Sequence, residues 1–548
     1  MGGVAIVARS TRVYSELSNA VSYPNRDERI EVRNAGCQML VTHGVGRLVE
    51  PLSDRAWEPS EIFDRCQARA AYFARCGLGH HDRVFLHHAN TLECFIDVLA
   101  VWHLGACAVP IDGQLTPYEV ANLAQAARPK LSVWKESPPD AMIHALGDFG
   151  VNVVDTDGVA TRADARALSP GPSDLDDDAL ILFTSGATGK PKGVVHTHRS
   201  LRARWNSLRS SLGIETFRRT LCLLPTYSGH GLICNCLFPW LFGQDLYVVP
   251  PFRADVLVAL GTLIDQNEIT CLSSVPTVWR LVVKTAKPPE GGSLARVFCG
   301  SAPLSGALWR SVQQWTRAKE VINAYGITET GSWLAGTTVP NVAPEDGLIG
   351  EAWGGVLAVL RTHENNRSPV WNDPCGPNEP GYVWIKTPAL MKGYLGREDL
   401  TAEVVSQGWF STGDIGVIDE RGYLYLRGRV REEINKSGQK IHPGDVDIVI
   451  EAFEGTVDVC SFGFPDPLHG EDMAVAVVLR SSSVDALARL RLWAGERLAA
   501  HQMPARWYLV KELPRTSTGK VNRREVAGLC EALTPVQFAK PLRERASE

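Results

Sequence analysis

Residues Thr184-Ser185-Gly186-Ala187-Thr188-Gly189-Lys190-Pro191-Lys192-Gly193 gather three glycines, three hydroxyl side chains and two lysines directly after the apolar run Ala179-Leu180-Ile181-Leu182-Phe183. Glycines let successive backbone N–H groups turn into one concavity, which is an anion site. Hydroxyls add donors and lysines add charge, a combination that suits the phosphates of a nucleotide. The stretch is not a Walker A loop, because Gly189-Lys190 is followed by Pro191 where Ser or Thr is required. Taken alone, such a loop also reads as a polar hairpin turn.

Four further stretches follow in order. Val321-Ile322-Asn323-Ala324-Tyr325-Gly326-Ile327-Thr328-Glu329-Thr330 sets an aromatic, a flexible glycine and a Thr-Glu pair at a strand end. Gly408-Trp409-Phe410-Ser411-Thr412-Gly413-Asp414 presents a carboxylate after a turn, and Arg427-Gly428-Arg429 opens a change of texture. Leu513-Pro514-Arg515-Thr516-Ser517-Thr518-Gly519-Lys520 ends a polar loop on a lysine. Each has a plain reading. Tyr325 fits a core position, Glu329 a helix cap, Asp414 an Asx-turn and Lys520 an exposed loop.

The elements that must position these residues are legible in part. At 548 residues the chain calls for two or more domains. Residues 59–77 read as a helix with Ile62, Cys66, Ala70 and Phe73 on one face. Short apolar runs at 83–86, 131–133, 180–183, 246–249 and 297–299 alternate with helical patterns, which predicts α/β layering. Residues 361–381, rich in Asn, Pro and Gly, read as an irregular connection. A boundary is expected near 429–432. Beyond it, Met473, Val475, Val477 and Leu479 alternate as in a half-buried strand, and Leu487, Leu490, Ala494 and Leu498 recur at helical spacing.

The net charge of -5 gives no electrostatic footprint for nucleic acid. The apolar windows are too short or too interrupted to span a bilayer, and no signal-peptide core opens the chain, so a cytoplasmic location is expected. Thirteen cysteines in mostly apolar surroundings read as reduced core thiols. The pair Cys234/Cys236 lacks companion ligands for a metal. His196 and His198 alternate as on a strand and read as structural. Tyr227-Ser228-Gly229-His230-Gly231 lacks the first glycine of a serine nucleophile elbow.

On the five motifs in this order the chain resembles the adenylate-forming superfamily: acyl-CoA synthetases, non-ribosomal peptide synthetase adenylation domains and beetle luciferases. The match runs from about residue 60 to 525. The resemblance implies an α/β fold with a large N-terminal domain of stacked subdomains (1–429) and a small, mobile α+β lid (430–548) carrying the catalytic lysine. It implies ATP and Mg²⁺ as cofactors, with Thr184 and Glu329 toward the metal. Thr184, Ser185, Gly186, Thr188, Gly189 and Lys192 would grip the phosphates. Ser301, Ala302, Asn323, Tyr325, Gly326, Thr328, Asp414 and Arg429 would hold the nucleoside, with Tyr325 stacked on adenine and Asp414 on the ribose. Lys520, Glu329 and Lys192 would be catalytic. Attack of a carboxylate on the α-phosphorus joins two anions, so a lysine and Mg²⁺ offset repulsion and stabilise developing charge.

The resemblance places the acyl pocket at Ser228, His230, Trp279, Gly300, Ser301, Ile327 and Trp333, beside Cys299. No Asp stands between 225 and 232 to pair an α-ammonium, and the residue types suggest an aromatic or short acid. Coenzyme A is the expected acceptor of a free-standing enzyme. The lid would turn about Glu432, and Lys436, Ser437 and Gly438 would line a thiol tunnel. Asn435 replaces a lysine of many relatives, and Gly381-Tyr382-Val383 replaces Gly-Glu-Leu. The alternatives are an amine or carrier-protein acceptor, luciferase-type oxygenation, and a non-catalytic nucleotide-binding scaffold.

Overall fold

The computed structural model describes residues 44–156, 170–184, 191–338, 342–363, 366–430, 432–436, 439–467, 469–516 and 519–538. The helix Pro59–Arg75 starts on a proline that presets its first turn. It buries Ile62, Cys66, Ala70 and Phe73 on one face.

A seven-stranded sheet forms around it. Strands Arg83–Leu86, Cys107–Pro110, Leu131–Trp134 and Asn152–Asp155 pair in parallel, as near-continuous apolar strands covered on both faces do. Asp178–Thr184 joins them in parallel, and Lys192–Thr197 returns antiparallel beside it. The two ends of the glycine-rich stretch, Thr184 and Lys192, therefore face each other across these strands, and residues 185–190 lie outside the described ones.

A fifteen-stranded sheet holds the rest of the large N-terminal domain. Its parallel part runs through Asp245–Val248, Arg219–Cys222, Cys271–Ser274, Arg296–Gly300 and Glu320–Ile327. The pairing turns antiparallel at Ser332–Gly336, with the register shifting between Tyr325 and Gly326. Further out, Trp409–Ile418 and Leu424–Arg429 pair antiparallel, which sets Asp414 opposite Arg429.

The chain leaves this sheet at Arg429 and enters a five-stranded sheet at Ile434. That sheet, with helices Pro443–Glu451, Val484–Gly495 and Arg523–Glu531, is the small C-terminal domain. Among the described residues no helix is long and apolar enough to cross a membrane. Every described cysteine is a free thiol, most of them buried.

Four expectations are corrected. Among the described residues of 361–381, only those from Cys375 to Pro380 are irregular: before that, Val356–His363 and Asn366–Pro374 form an antiparallel pair. Asn366–Pro374 is the edge of its sheet, where a proline's missing N–H breaks no ladder. Gly470–Leu479 is buried on both faces, since Ala474 and Ala476 pack with Cys460, Tyr508 and Val526 while Met473, Val475 and Val477 meet a second cluster. The helix there ends at Gly495, and Leu498 is buried beyond it. His198 opens the helix His198–Leu212 and does not continue the strand.

Candidate active site

Glu329 lies in a single 3₁₀ turn, Thr328–Thr330, between the strands Glu320–Ile327 and Ser332–Gly336. Three consecutive carbonyls of this turn are each gripped by a different element. His196 Nε2 reaches Thr328 O at 2.8 Å, the Met391 N–H donates to Glu329 O at 2.8 Å, and Arg204 Nε donates to Thr330 O at 2.9 Å. Burial holds the His196 imidazole down to about 4, so it is neutral and donates from Nε2. Arg204 is fully buried, sends Nη1 to Trp353 O at 2.8 Å, and is pulled down to about 10 by desolvation.

The Glu329 carboxylate accepts from the Tyr394 hydroxyl at 2.7 Å. Lys192 Nζ stands 4.7 Å from the centre of the same tyrosine ring. Tyr394 therefore couples the foot of the glycine-rich hairpin to Glu329. Thr184 pairs across that hairpin with Lys192. Ser185, Gly186, Thr188 and Gly189 lie outside the described residues.

Tyr325 donates its hydroxyl to Asp414 Oδ2, and Arg429 Nε meets Asp414 Oδ1 at 2.9 Å. Burial, reinforced by Asp414, raises the Tyr325 phenol well above its ordinary value, so it stays a donor. Asp414 keeps lone pairs for further donors. Asn323 spends its amide on Leu348 O at 2.7 Å. Gly326 sits where a Cβ would lie 2.3 Å from Ser332 O, so only glycine fits. Gly326→Ala is expected to cost roughly 3 kcal/mol through backbone displacement, read as a lower thermal-unfolding midpoint. An unchanged midpoint would contradict that packing.

The C-terminal domain closes on this site. Gly519, at φ 80°, accepts from Thr277 Oγ1 at 3.1 Å. Arg280 on helix Pro276–Thr285 clasps Glu451 of the C-terminal domain, with Nε to Oε1 at 2.8 Å. Lys520 is exposed to water, and the groups packed around its ammonium still desolvate it in part. Desolvation and the Arg429 charge lower it to about 8, against the opposing pull of Asp414 and Glu329. Motifs from 329, 414, 429 and 520 thus act on one another electrostatically.

His230 forms the inner wall. Its Nδ1 lies 2.8 Å from Ser301 Oγ and its Nε2 lies 2.6 Å from Ser273 Oγ. Its ring meets Trp333 edge-on at 5.6 Å, and Trp333 stacks on Phe298 at 4.2 Å. Burial, then the Lys520 charge, lower the imidazole to about 3, so it is neutral. Gly300 is obligatory beside Ser301, because a Cβ there would meet Ala324 O at 2.4 Å. Ser301 has φ 68°, and Ala302 beside it is half-buried. Ile327 is buried beside Tyr325. Ser228 donates to Pro225 O at 2.8 Å and shapes the turn into the helix His230–Leu237.

Trp279 and Cys299 do not join this wall. They belong to the core that also holds Trp315 and Leu272, while Phe298 and Trp333 belong to another. Strand alternation explains Cys299, since Phe298 and Cys299 point to opposite faces, while Trp279 lies on the buried face of the helix Pro276–Thr285. Glu432 is paired with Arg523 at 2.9 Å, and Arg523 also binds Asp447 at 2.7 Å. Lys436 is paired with Asp472 at 2.6 Å, and Ser437 and Gly438 lie outside the described residues. Sequence reasoning missed Tyr394, Ser273, Arg204, Thr277 and Arg280. None stands in a motif, and only the fold brings them in.

Comparison with known proteins bears on this arrangement. The model for "AMP-binding enzyme" matches residues 53–395, and that for "AMP-binding enzyme C-terminal domain" matches 445–520. A probable CoA ligase, CCL9, of Humulus lupulus is 30% identical over 85% of this chain and 90% of its own length. ATP-bound MatB from Rhodopseudomonas palustris is 25% identical, with a TM-score of 0.81 over 91% of this chain and 99% of that one. O-succinylbenzoate coenzyme A synthetase from Bacillus subtilis, solved with ATP and magnesium ion, shares the fold at 24% identity. Its TM-score is 0.77 over 90% of this chain and 99% of that one.

Proposed function

This chain belongs to the AMP-binding enzyme family, and from that premise we propose that it activates a carboxylic acid with ATP and passes the acyl group to coenzyme A. The acid's carboxylate attacks the α-phosphorus, the bond to the leaving pyrophosphate breaks, and an acyl-adenylate forms. The thiol of coenzyme A then attacks the acyl carbon and AMP leaves. An aromatic or short acid is the reading that the polar, ring-lined wall at His230 and Trp333 supports.

The observation that carries this reading is the cluster of Tyr325, Asp414 and Arg429, drawn from three separate motifs, with the loop that ends on Lys520 tied to the N-terminal domain at Thr277. Lys520 would stabilise charge developing between the attacking carboxylate and the α-phosphate. Asp414, held by Tyr325 and Arg429, would accept from ribose hydroxyls. Lys192 and the hairpin would hold the leaving pyrophosphate. Thr184 and Glu329 offer oxygen donors, the set that suits a hard cation, and Mg²⁺ bound there would neutralise phosphate charge.

Steady-state AMP release tests the acceptor. It is expected to require acid, ATP and coenzyme A together. Release that follows an added amine or carrier protein in place of coenzyme A would assign a different acceptor.

Residues 430–548 would act as the lid, with Glu432 at the hinge. Thr277 and Arg280 hold it over the site in the arrangement seen here. Thioester formation requires that grip to release. Glu451→Gln is therefore expected to slow adenylate formation several-fold while sparing thioester formation from a supplied acyl-adenylate. Equal slowing of both half-reactions would contradict a latch.

A further inference from the structure

Ser301 and Ser273 occupy both ring nitrogens of His230. A neutral imidazole has one N–H and one bare nitrogen, so one serine receives a proton from the ring and the other gives one. Ser273 is fully buried, and its hydroxyl has a second outlet, Phe298 O at 3.5 Å. When Ser273 donates to Nε2, His230 donates from Nδ1 and the Ser301 O–H is free to donate outward. When Ser273 turns to Phe298 O, the ring donates from Nε2 and Ser301 donates to Nδ1, leaving its lone pairs free. The relay lets Ser301 offer either a donor or an acceptor.

Ser301 itself is half-buried and stands at the mouth of the strand Arg296–Gly300. The strand that carries Ser273 leads into the helix whose Thr277 holds Gly519, beside Lys520, so this wall lies near the lid. Behind it Trp333 is buried, stacked on Phe298 and set edge-on to His230, so bulky rings back the wall. The groups that form the wall, Ser301, Ser273 and the neutral His230, carry no charge.

We propose that the acid is compact and carries an uncharged hydrogen-bonding substituent, a hydroxyl or an aryl amine, which Ser301 binds directly with His230 and Ser273 as positioning residues. This rests on the carboxylate-activating reading above. A site built to satisfy such a group penalises analogues that lack it, because its own polar atoms are left unpaired.

The test is acid-dependent exchange of pyrophosphate into ATP, measured as kcat/KM for benzoate, its three hydroxy isomers, 2-aminobenzoate, phthalate and decanoate. The best hydroxy- or amino-substituted acid is expected to exceed benzoate by tenfold or more, with phthalate and decanoate below both. Ser301→Gly suits the φ of 68° at this position. It should bring the substituted-to-benzoate ratio close to one, as should Ser273→Ala. The ratio cancels any general loss from folding or ATP binding, which a merely structural role would produce.

Benzoate, phthalate or decanoate as the preferred acid, or a ratio unmoved in Ser301→Gly, would overturn the substrate class and leave acid activation standing. Exchange with no acid at all would overturn the activation reading and this inference with it.

Discussion

Lys520→Ala is expected to lower the rate of adenylate formation by at least a hundredfold, the order of one preorganised charged donor lost from the transition state, about 3 kcal/mol. Thioester formation from a supplied acyl-adenylate should remain near the rate of the unaltered enzyme, because on the proposed reading the lid would turn for that step and carry Lys520 away. A common fall in both half-reactions would reduce the lysine to a structural role. The same residue sets a pH dependence. Its ammonium, lowered to about 8, must be charged to act, so adenylate formation is at full rate below that pH and falls as pH rises through it. Arginine stays charged throughout. Lys520→Arg, even at reduced rate, should therefore lose the descending limb near pH 8. A limb that persists unchanged would assign it to another group.

Glu329→Gln is expected to have the second largest effect, roughly a hundredfold on adenylate formation. The amide preserves volume and can still accept from Tyr394, so the turn should hold. The three carbonyl grips from His196, Met391 and Arg204 do not involve the substituted atoms. What would be lost is the negative charge that the proposed function sets toward the phosphates and Mg²⁺. The variant should therefore need more Mg²⁺ for half-maximal rate, with an unchanged unfolding midpoint. An unaltered Mg²⁺ requirement would remove Glu329 from metal binding. Tyr394→Phe, which leaves the charge and removes its orienting donor, should show the same shift at smaller size.

The positions that meet around Lys520 were legible because each sits at a turn or strand end with a distinctive short pattern. How they meet was not. Asp414 and Arg429 face each other only through the register of two antiparallel strands. Tyr394 arrives on a two-residue strand, Gly393–Tyr394, that pairs with the hairpin strand Lys192–Thr197. Two residues carry no periodicity to read. Trp279 was drawn toward the pocket by its aromatic character, whereas it lies on the packed face of the helix Pro276–Thr285, in another core. The Pro-rich stretch after Val356 read as a connection because propensity speaks for the isolated segment, whereas edge pairing decided the outcome. Ser273 and Arg204 gave no signal, since a buried polar residue declares itself only through the atoms it satisfies.

On the proposed function, this site joins a carboxylic acid to AMP before any acceptor arrives. Acid-dependent exchange of labelled pyrophosphate into ATP, run without coenzyme A, measures that step alone. Exchange is expected with at least one acid of the panel and is expected to vanish in Lys520→Ala. No exchange with any acid, from a chain that binds ATP, would contradict it.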